Sequence, residues 1–342
     1  MLDLIAASRH DWSSLLETHG HLLQTWKWGD FQARRGVRPE RWLLVQTTGG
    51  RTVVVGGLQI LWRLIPGGWQ WGYAPKGPTF LSPPTSSDWA DLSRALRKRF
   101  GAPRILALRV EPNYPTTPDG ERALWLSGYR RAPRDMQPRH TVLVDLSRPD
   151  HEVLASMQAK TRYNVRLAAR RAVAVRAGAS KVDVERFLQL HDETVIRDRY
   201  AAHGRSYLRR FLSTFSTESI LLIASVGGED VAGVIVAFHA SEAIYLYGAS
   251  GNSFRNAMPN HALQWDAIVR SKARGCTSYD MWGVSAPGST DDAMAGLYRF
   301  KHGFGRVESW LGSWDCPLSP LYPLWRSLES WRMQRRRANR AQ

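Results

Sequence analysis

Cysteine is scarce in this chain. Only Cys276 and Cys316 occur among 342 residues, and no C-x-x-C pair is present. A disulfide framework and a cysteine-built metal site are thereby excluded. Acidic residues are also few, 30 against 47 Lys+Arg, and of those cations only seven are lysine. Long apolar runs are missing. The most apolar stretch, 53–65, is interrupted by Gln59 and Arg63, well short of the ~20 residues a membrane span needs. The first twelve residues lack a basic segment followed by an apolar core, so no signal peptide is expected and the protein reads as soluble and cytoplasmic. No nucleophile elbow, Walker loop, H-E-x-x-H or paired-carboxylate motif is found. The ten histidines are scattered, with only His19 and His21 close together, so no metal is expected.

What is present is ample apolar material, 43% of residues, and a formal charge of +17. The length favours two domains. A preference for arginine over lysine has a bland source in genome base composition. The excess of positive charge does not, and it points to a polyanionic partner such as nucleic acid, a phosphorylated substrate or an anionic membrane surface.

Residues 1–145 read as mixed α/β, with strands at 52–57, 104–110 and 141–146 and a helix at 89–100. From about 150 the pattern is helical: 152–171 without a breaker, then 181–197 and 206–215. Three strands at hairpin spacing follow, 220–225, 231–239 and 243–248, with a turn at Gly227–Asp230. A helix at 259–275, a strand at 276–282, a helix at 293–301 and a strand at 306–310 complete the pattern, and an arginine-rich tail reads as a frayed helix. This order is that of an N-acetyltransferase-type (GNAT) domain, and the first half can be drawn as a decayed copy of it. The expected division is 1–148, 149–325 and a basic tail, 326–342. A coenzyme A pyrophosphate loop, Q/R-x-x-G-x-G/A, is not found, so no cofactor is expected.

Several residues could carry chemistry. Arg162, Arg166 and Arg170 recur at i, i+4 and i+8, so they share a helix face; the stripe is either a solvated face or a polyanion-binding one. In Gly296–Gly305 (GLYRFKHGFG) two glycines follow a helical turn, allowing positive φ or close approach to a ligand. Lys301 within it could stabilise an oxyanion or bind phosphate, or be an ordinary cation at a helix C-terminus. Tyr245 and Tyr247 alternate with Leu246 and so share one face of a strand, either in a core or lining a cleft. Trp26, Trp28, Trp69, Trp71 and Tyr73 suit stacking on sugars or bases as well as core packing.

Taken together, these segments resemble the FemABX family, non-ribosomal peptidyltransferases that add amino acids from aminoacyl-tRNA to peptidoglycan precursors. The likeness runs nearly end to end: Leu23–Phe31 (LQTWKWGDF), Pro75–Pro78 (PKGP), Asp145–Ser147, Met157–Ala168 (MQAKTRYNVRLA), Thr194 with Arg197–Tyr200, Tyr245–Ser250 (YLYGAS), Leu263–Trp265, Gly275–Gly283 and Phe300–Gly305 (FKHGFG). It implies tandem GNAT-like domains of α/β (α+β) class without coenzyme A. It implies an aminoacyl-tRNA donor and a muramyl-pentapeptide acceptor carried on UDP (UDP-MurNAc-pentapeptide) or on lipid (lipid II), with peripheral contact at the inner membrane face in the lipid case. Lys301 maps to the family's lysine near the transferring acyl group. Arg197, with Tyr200, Tyr207 and Tyr247, maps to the acceptor's phosphate contacts, and Trp28, Tyr245, Phe304 and Gly305 fall in matched substrate-binding segments. Arg162, Arg166 and Arg170 fall to the tRNA. One departure is clear: the position after Phe31, often lysine in the family, is Gln32, for which Arg34 or Arg35 would substitute. The family's coiled-coil insertion is also missing. For the proton lost by the attacking amine, Asp280 is a candidate base beside a base supplied by substrate or tRNA. Two other readings stay open: a GNAT-like transferase with another acyl donor or a protein amine acceptor, and a non-catalytic RNA-binding protein.

Overall fold

The computed structural model describes residues 2–16, 18–198, 202–288 and 292–341. The chain forms two compact units, one of residues 1–139 with 309–342, the other of residues 140–308.

The first unit carries β1 (Leu2–Ala6), β2 (Arg38–Thr48), β3 (Arg51–Ile65), β4 (Trp69–Ala74), β5 (Thr79–Phe80), β6 (Ile105–Val110) and β7 (Arg130–Arg131). The second begins with β8 (His140–Asp145) and continues with β9 (Ala174–Gly178), β10 (Ser219–Val226), β11 (Glu229–His239), β12 (Glu242–Ser250), β13 (Ser278–Val284) and β14 (Arg306–Ser309). A last strand, β15 (Trp314–Pro317), returns to the first sheet. The helices are α1 (Arg9–Leu16), α2 (Trp26–Ala33), α3 (Ser86–Phe100), α4 (Pro118–Leu126), α5 (Asp150–Ser156), α6 (Ala159–Arg170), α7 (Lys181–Asp198), α8 (Arg205–Thr214), α9 (Pro259–Ala273), α10 (Asp292–His302) and α11 (Tyr322–Ala341).

The sheet orders are β1-β2-β3-β4-β6-β15-β7 and β9-β10-β11-β12-β13-β8-β14. They are the same order. Each is an antiparallel meander of four strands, then a parallel strand reached through a helix (α3 or α9), then a short edge strand reached through a second helix (α4 or α10). In both, a strand from a distant segment is laid between the last two. The repeat drawn faintly in the sequence is therefore a repeat of topology. The inserted strands also explain why the compact units differ from the expected 1–148, 149–325 and 326–342. β8 pairs with β13, and β15 pairs with β6, so residues 140–148 join the second unit and the C-terminal segment the first.

Each unit has its own apolar core. In the first, Trp42, Trp62, Trp89, Phe100 and Trp314 are buried together. In the second, Phe238, Leu263, Tyr279, Met281 and Phe304 pack with the aliphatic faces of β8 and β11. Local rules account for most elements. Thr85 and Asp88 form a reciprocal capping box at α3. Gly227 and Gly228 turn β10 into β11 with φ of 58° and 85°.

The expected unbroken helix at 152–171 is two helices. Between α5 and α6 the chain extends at Met157 and Gln158; the Gln158 N–H donates to the Gly303 carbonyl at 2.9 Å, and buried Met157 enters the core. No proline or glycine marks that break, which is decided by packing against the turn after α10.

Candidate active site

β12 and β13 start as a parallel pair, from Glu242 opposite Ser278 to Ile244 opposite Asp280, and then part. β12 runs on to Ser250 and β13 to Val284 without further pairing to each other. The equivalent strands of the first unit stay paired to the end of β4, Ala74 opposite Val110. Only the second unit, of the two, opens a wedge at this position.

Lys301 fills the wedge. Near the end of α10 and only 5% exposed, it donates to the carbonyls of Gly283 (2.9 Å) and Trp282 (3.5 Å), with its ammonium 5.2 Å from the centre of the Tyr245 ring. Two successive carbonyls normally point to opposite sides of a strand. Here Trp282 has φ 60°, a left-handed conformation that breaks the alternation and lets one ammonium meet both. Buried Asp280 holds that kink: its Oδ1 accepts from the Trp282 N–H at 2.6 Å and from the Thr141 hydroxyl. Burial lowers the Lys301 pKa to about 8, with the Asp280 charge opposing the shift. With its carboxylate so engaged, Asp280 is better placed to position the lysine than to act as the base.

The glycines of the FKHGFG segment serve packing. Neither Gly303 nor Gly305 has positive φ. A Cβ on Gly305 would stand 2.2 Å from the Leu143 carbonyl oxygen, and one on Gly303 would stand 2.0 Å from Thr161 Oγ1. Phe304 between them is fully buried, beside the ring of His261, so it supports the site from the core and does not line it.

Tyr245 and Tyr247 take different surroundings, because a bulge displaces the register of β12 between Ile235 and Val236 on its neighbour. Tyr245 faces Lys301, and its hydroxyl lies where a Cβ on Gly248 would be, at 1.9 Å. Tyr247 joins a cluster on α8: its hydroxyl meets that of Tyr207 at 3.4 Å, Tyr207 stacks on His203 at 3.9 Å, and Phe211 meets the Tyr247 ring edge-on. His203 and Phe211 carried no motif in the sequence; their i, i+4 and i+8 spacing with Tyr207 was the available signal. Arg197, at the end of α7, donates to the Ser250 carbonyl at 2.8 Å and pairs with Asp198, fixing the far end of β12. Tyr200 lies outside the described residues.

The arginine stripe on α6 divides. Arg162 turns back to the carbonyls of Ala155 and Met157 at the end of α5. Arg166 and Arg170 are exposed, with Lys160 and Tyr163 beside them, and the Arg170 guanidinium lies 5.5 Å from the Tyr163 ring centre.

In the first unit the LQTWKWGDF segment builds structure. Gln24 is buried, donates to the Pro75 carbonyl at 2.7 Å and accepts from the Gln59 N–H at 2.9 Å, tying the turn before α2 to β3 and the PKGP turn. Thr25 caps α2 through the Trp28 N–H. Trp28 is buried against Phe31, so its role is in the core of the unit. Gln32 is buried and accepts from Arg35, while Arg34 caps the exposed end of α2. Sequence reasoning missed Arg63 on β3. Its Nε is buried with no partner among the described residues, and burial lowers its pKa, with Arg35 and Arg134 adding to the shift and Tyr73 opposing it. Such a cation is receptive to an anion. Among the described residues no group of three or more His, Cys, Asp or Glu side chains is placed to hold a metal ion.

The sequence profile of the FemAB family matches residues 125–230 and 227–330, more than half of the chain. The chain belongs to the FemAB family. A relative in Staphylococcus haemolyticus, a lipid II:glycine glycyltransferase, is 22% identical over 94% of this chain and 94% of its own length. Among solved structures, FemX superposes with a TM-score of 0.82 at 20% identity, covering 95% of this chain and all of that one. A tandem GNAT protein from the clavulanic acid pathway reaches 0.52 at 14% identity, covering 94% and 99%. The fold of this FemAB protein is thus a tandem GNAT-like α/β arrangement, and its class of chemistry is acyl transfer.

Proposed function

We propose that the chain moves an amino acid from an aminoacyl-tRNA to the side-chain amine of a peptidoglycan-precursor stem peptide, the step that builds an interpeptide bridge. The observation that carries this reading is the buried ammonium of Lys301, held by two carbonyls in the opened wedge of the second unit. Aminolysis of an ester needs little beyond alignment and charge stabilisation. The amine nitrogen attacks the ester carbonyl, the carbon–nitrogen bond forms, and the carbonyl oxygen becomes an oxyanion. The carbon–oxygen bond to the ribose then breaks, and the ribose oxygen takes up the proton that the amine has lost. The Lys301 ammonium, with two of its three donors committed to carbonyls, turns the third toward the oxyanion. Tyr245 forms the other lip of the wedge.

The exposed Lys160–Arg166–Arg170 face is read as the tRNA contact. Arg197 with the Tyr207–Tyr247 cluster in the second unit is read as the contact of the acceptor and its phosphates. The lipid-linked acceptor is favoured over the UDP-linked one because the Staphylococcus haemolyticus relative acts on lipid II. A cytoplasmic location follows from the tRNA donor.

The test is a transfer assay with purified protein, radiolabelled aminoacyl-tRNAs offered one at a time, and either lipid-linked or UDP-linked muramyl pentapeptide. Label is expected on the acceptor peptide. Lys301→Met is expected to lower turnover by about 10²–10³-fold with tRNA binding kept. Undiminished turnover in that variant removes Lys301 from the chemistry. Binding of tRNA without transfer from any donor replaces the enzyme reading with an RNA-binding one.

A further inference from the structure

α11 is held by one face only. Arg109, fully buried on β6, donates to Asp315 on β15 at 2.7 and 3.0 Å and to Glu329 on α11 at 3.0 and 2.7 Å. Tyr322 and Trp325 complete that face, the first through a bond to Asp315 at 3.2 Å and the second against Trp71. The opposite face is turned to solvent, and it is apolar. Leu324, Leu328 and Trp331, at i, i+4 and i+7, are 60%, 46% and 51% exposed, and Leu321 just before the helix is 43% exposed. An apolar stripe of this kind on a helix already anchored elsewhere marks a surface that meets something.

The charges beside the stripe say what. Arg335 lies over the Trp331 ring at 4.5 Å, and exposed Arg332 follows on one flank. On the other flank an open groove of about 800 Å³ is lined by Arg97, Arg130, Arg326, Ser327 and Ser330. In the described structure these three arginines bond main-chain carbonyls, of Gly128, Tyr129 and Arg131, and no carboxylate. Guanidinium groups beside hydroxyls form a receptive setting for phosphate. Leucine and tryptophan on one stripe with arginines along both margins is the pattern of a helix lying in the plane of a bilayer surface. No helix among the described residues is long and apolar enough to cross a membrane. A second copy of this chain fits less well, because two-fold packing of the stripe would set the same arginines against each other.

We infer that α11 docks this protein on an anionic phospholipid surface, with Leu324, Leu328 and Trp331 entering the headgroup region and the Arg97–Arg130–Arg326 groove taking a lipid phosphate. The inference rests on the helix and its groove, not on the transferase reading. In that reading it brings the enzyme to the leaflet that displays a lipid-linked acceptor.

The test is co-sedimentation of the full chain with vesicles of phosphatidylcholine alone and of phosphatidylcholine with phosphatidylglycerol. Binding to the anionic vesicles is expected, with loss at raised salt. Leu324→Gln with Leu328→Gln, both exposed and so neutral for folding by thermal melt, is expected to weaken it by about tenfold. Arg97→Gln with Arg326→Gln should remove the preference for anionic over neutral vesicles. Failure to bind anionic vesicles overturns the inference. So does unchanged binding by the leucine variant, which would leave only bulk charge attraction. A leucine variant that turns a dimer into a monomer by light scattering also overturns it, by assigning the stripe to a second copy. None of these measurements involves acyl transfer, so this inference and the transferase reading fail separately.

Discussion

Lys301 is one of seven lysines among 47 cationic residues, and its position costs stability. Burial lowers its pKa from 10.5 to about 8, so between those values the unfolded chain binds a proton that the folded chain does not. Stability therefore rises with pH from about 8 to 10.5, and below 8 the charged lysine is held at a penalty. A fold keeps such a group where charge is used. If the ammonium stabilises the oxyanion, background-corrected transfer should rise with pH as the acceptor amine deprotonates and level off above about 8, where loss of the Lys301 charge offsets the growing fraction of neutral amine. Lys301→Arg should remove that levelling. A rate that keeps climbing past pH 9 in the unmodified protein would assign Lys301 another role. The residue types at this site were legible in the sequence, as the FKHGFG segment and the TSYDMWG strand. That Trp282 is kinked and Asp280 holds the kink was not, because a left-handed tryptophan has no local signature.

At the scale of elements, α6 shows how far periodicity reaches. Spacing alone put Arg162, Arg166 and Arg170 on one face, and they do share it. It could not show that the helix begins only at Ala159, which makes Arg162 a first-turn residue reaching back to the carbonyls that end α5. The three arginines should therefore behave differently. Arg166→Glu with Arg170→Glu is expected to leave the thermal midpoint unchanged and to lower the salt dependence of tRNA binding by roughly one unit of slope per charge. Arg162→Glu should instead lower the midpoint, because the carbonyls of α5 lose their donor and a carboxylate meets them. Filter binding across a salt series and a thermal melt separate the two effects. If all three variants weaken tRNA binding alike at unchanged stability, the stripe acts as a unit and the division is wrong.

At the scale of the whole molecule, the two sheets have one strand order, and each is completed by a strand from a remote part of the sequence. The Arg109–Asp315–Glu329 cluster belongs to this scale, since it ties β6 to residues more than 200 positions later. Burial opposes the arginine's charge, but its bonds to both carboxylates outweigh that and raise its pKa. Arg109→Met would leave Asp315 buried without its cation, which costs about 3–5 kcal/mol, read as a lower denaturation midpoint. Asp315→Asn in the same chain should recover part of that loss, since the stranded charge is then removed. No recovery would mean that the lost packing of the guanidinium between Trp71 and Trp325 matters more than its charge.

The sequence by itself determined what depends on neighbours along the chain: the hairpin order of β10–β12, the helices α7 to α10, the positive charge and the family likeness. Those follow from periodicity, turn residues and composition, which act over a few positions. Only the tertiary structure decided the rest: β15 in the first sheet and β8 in the second, the break before α6, the core roles of Trp28 and Phe304, and the parting of β13 from β12 that gives Lys301 two carbonyls. Each of these turns on a contact between residues far apart in sequence, where the winning partner is set by what else is already packed.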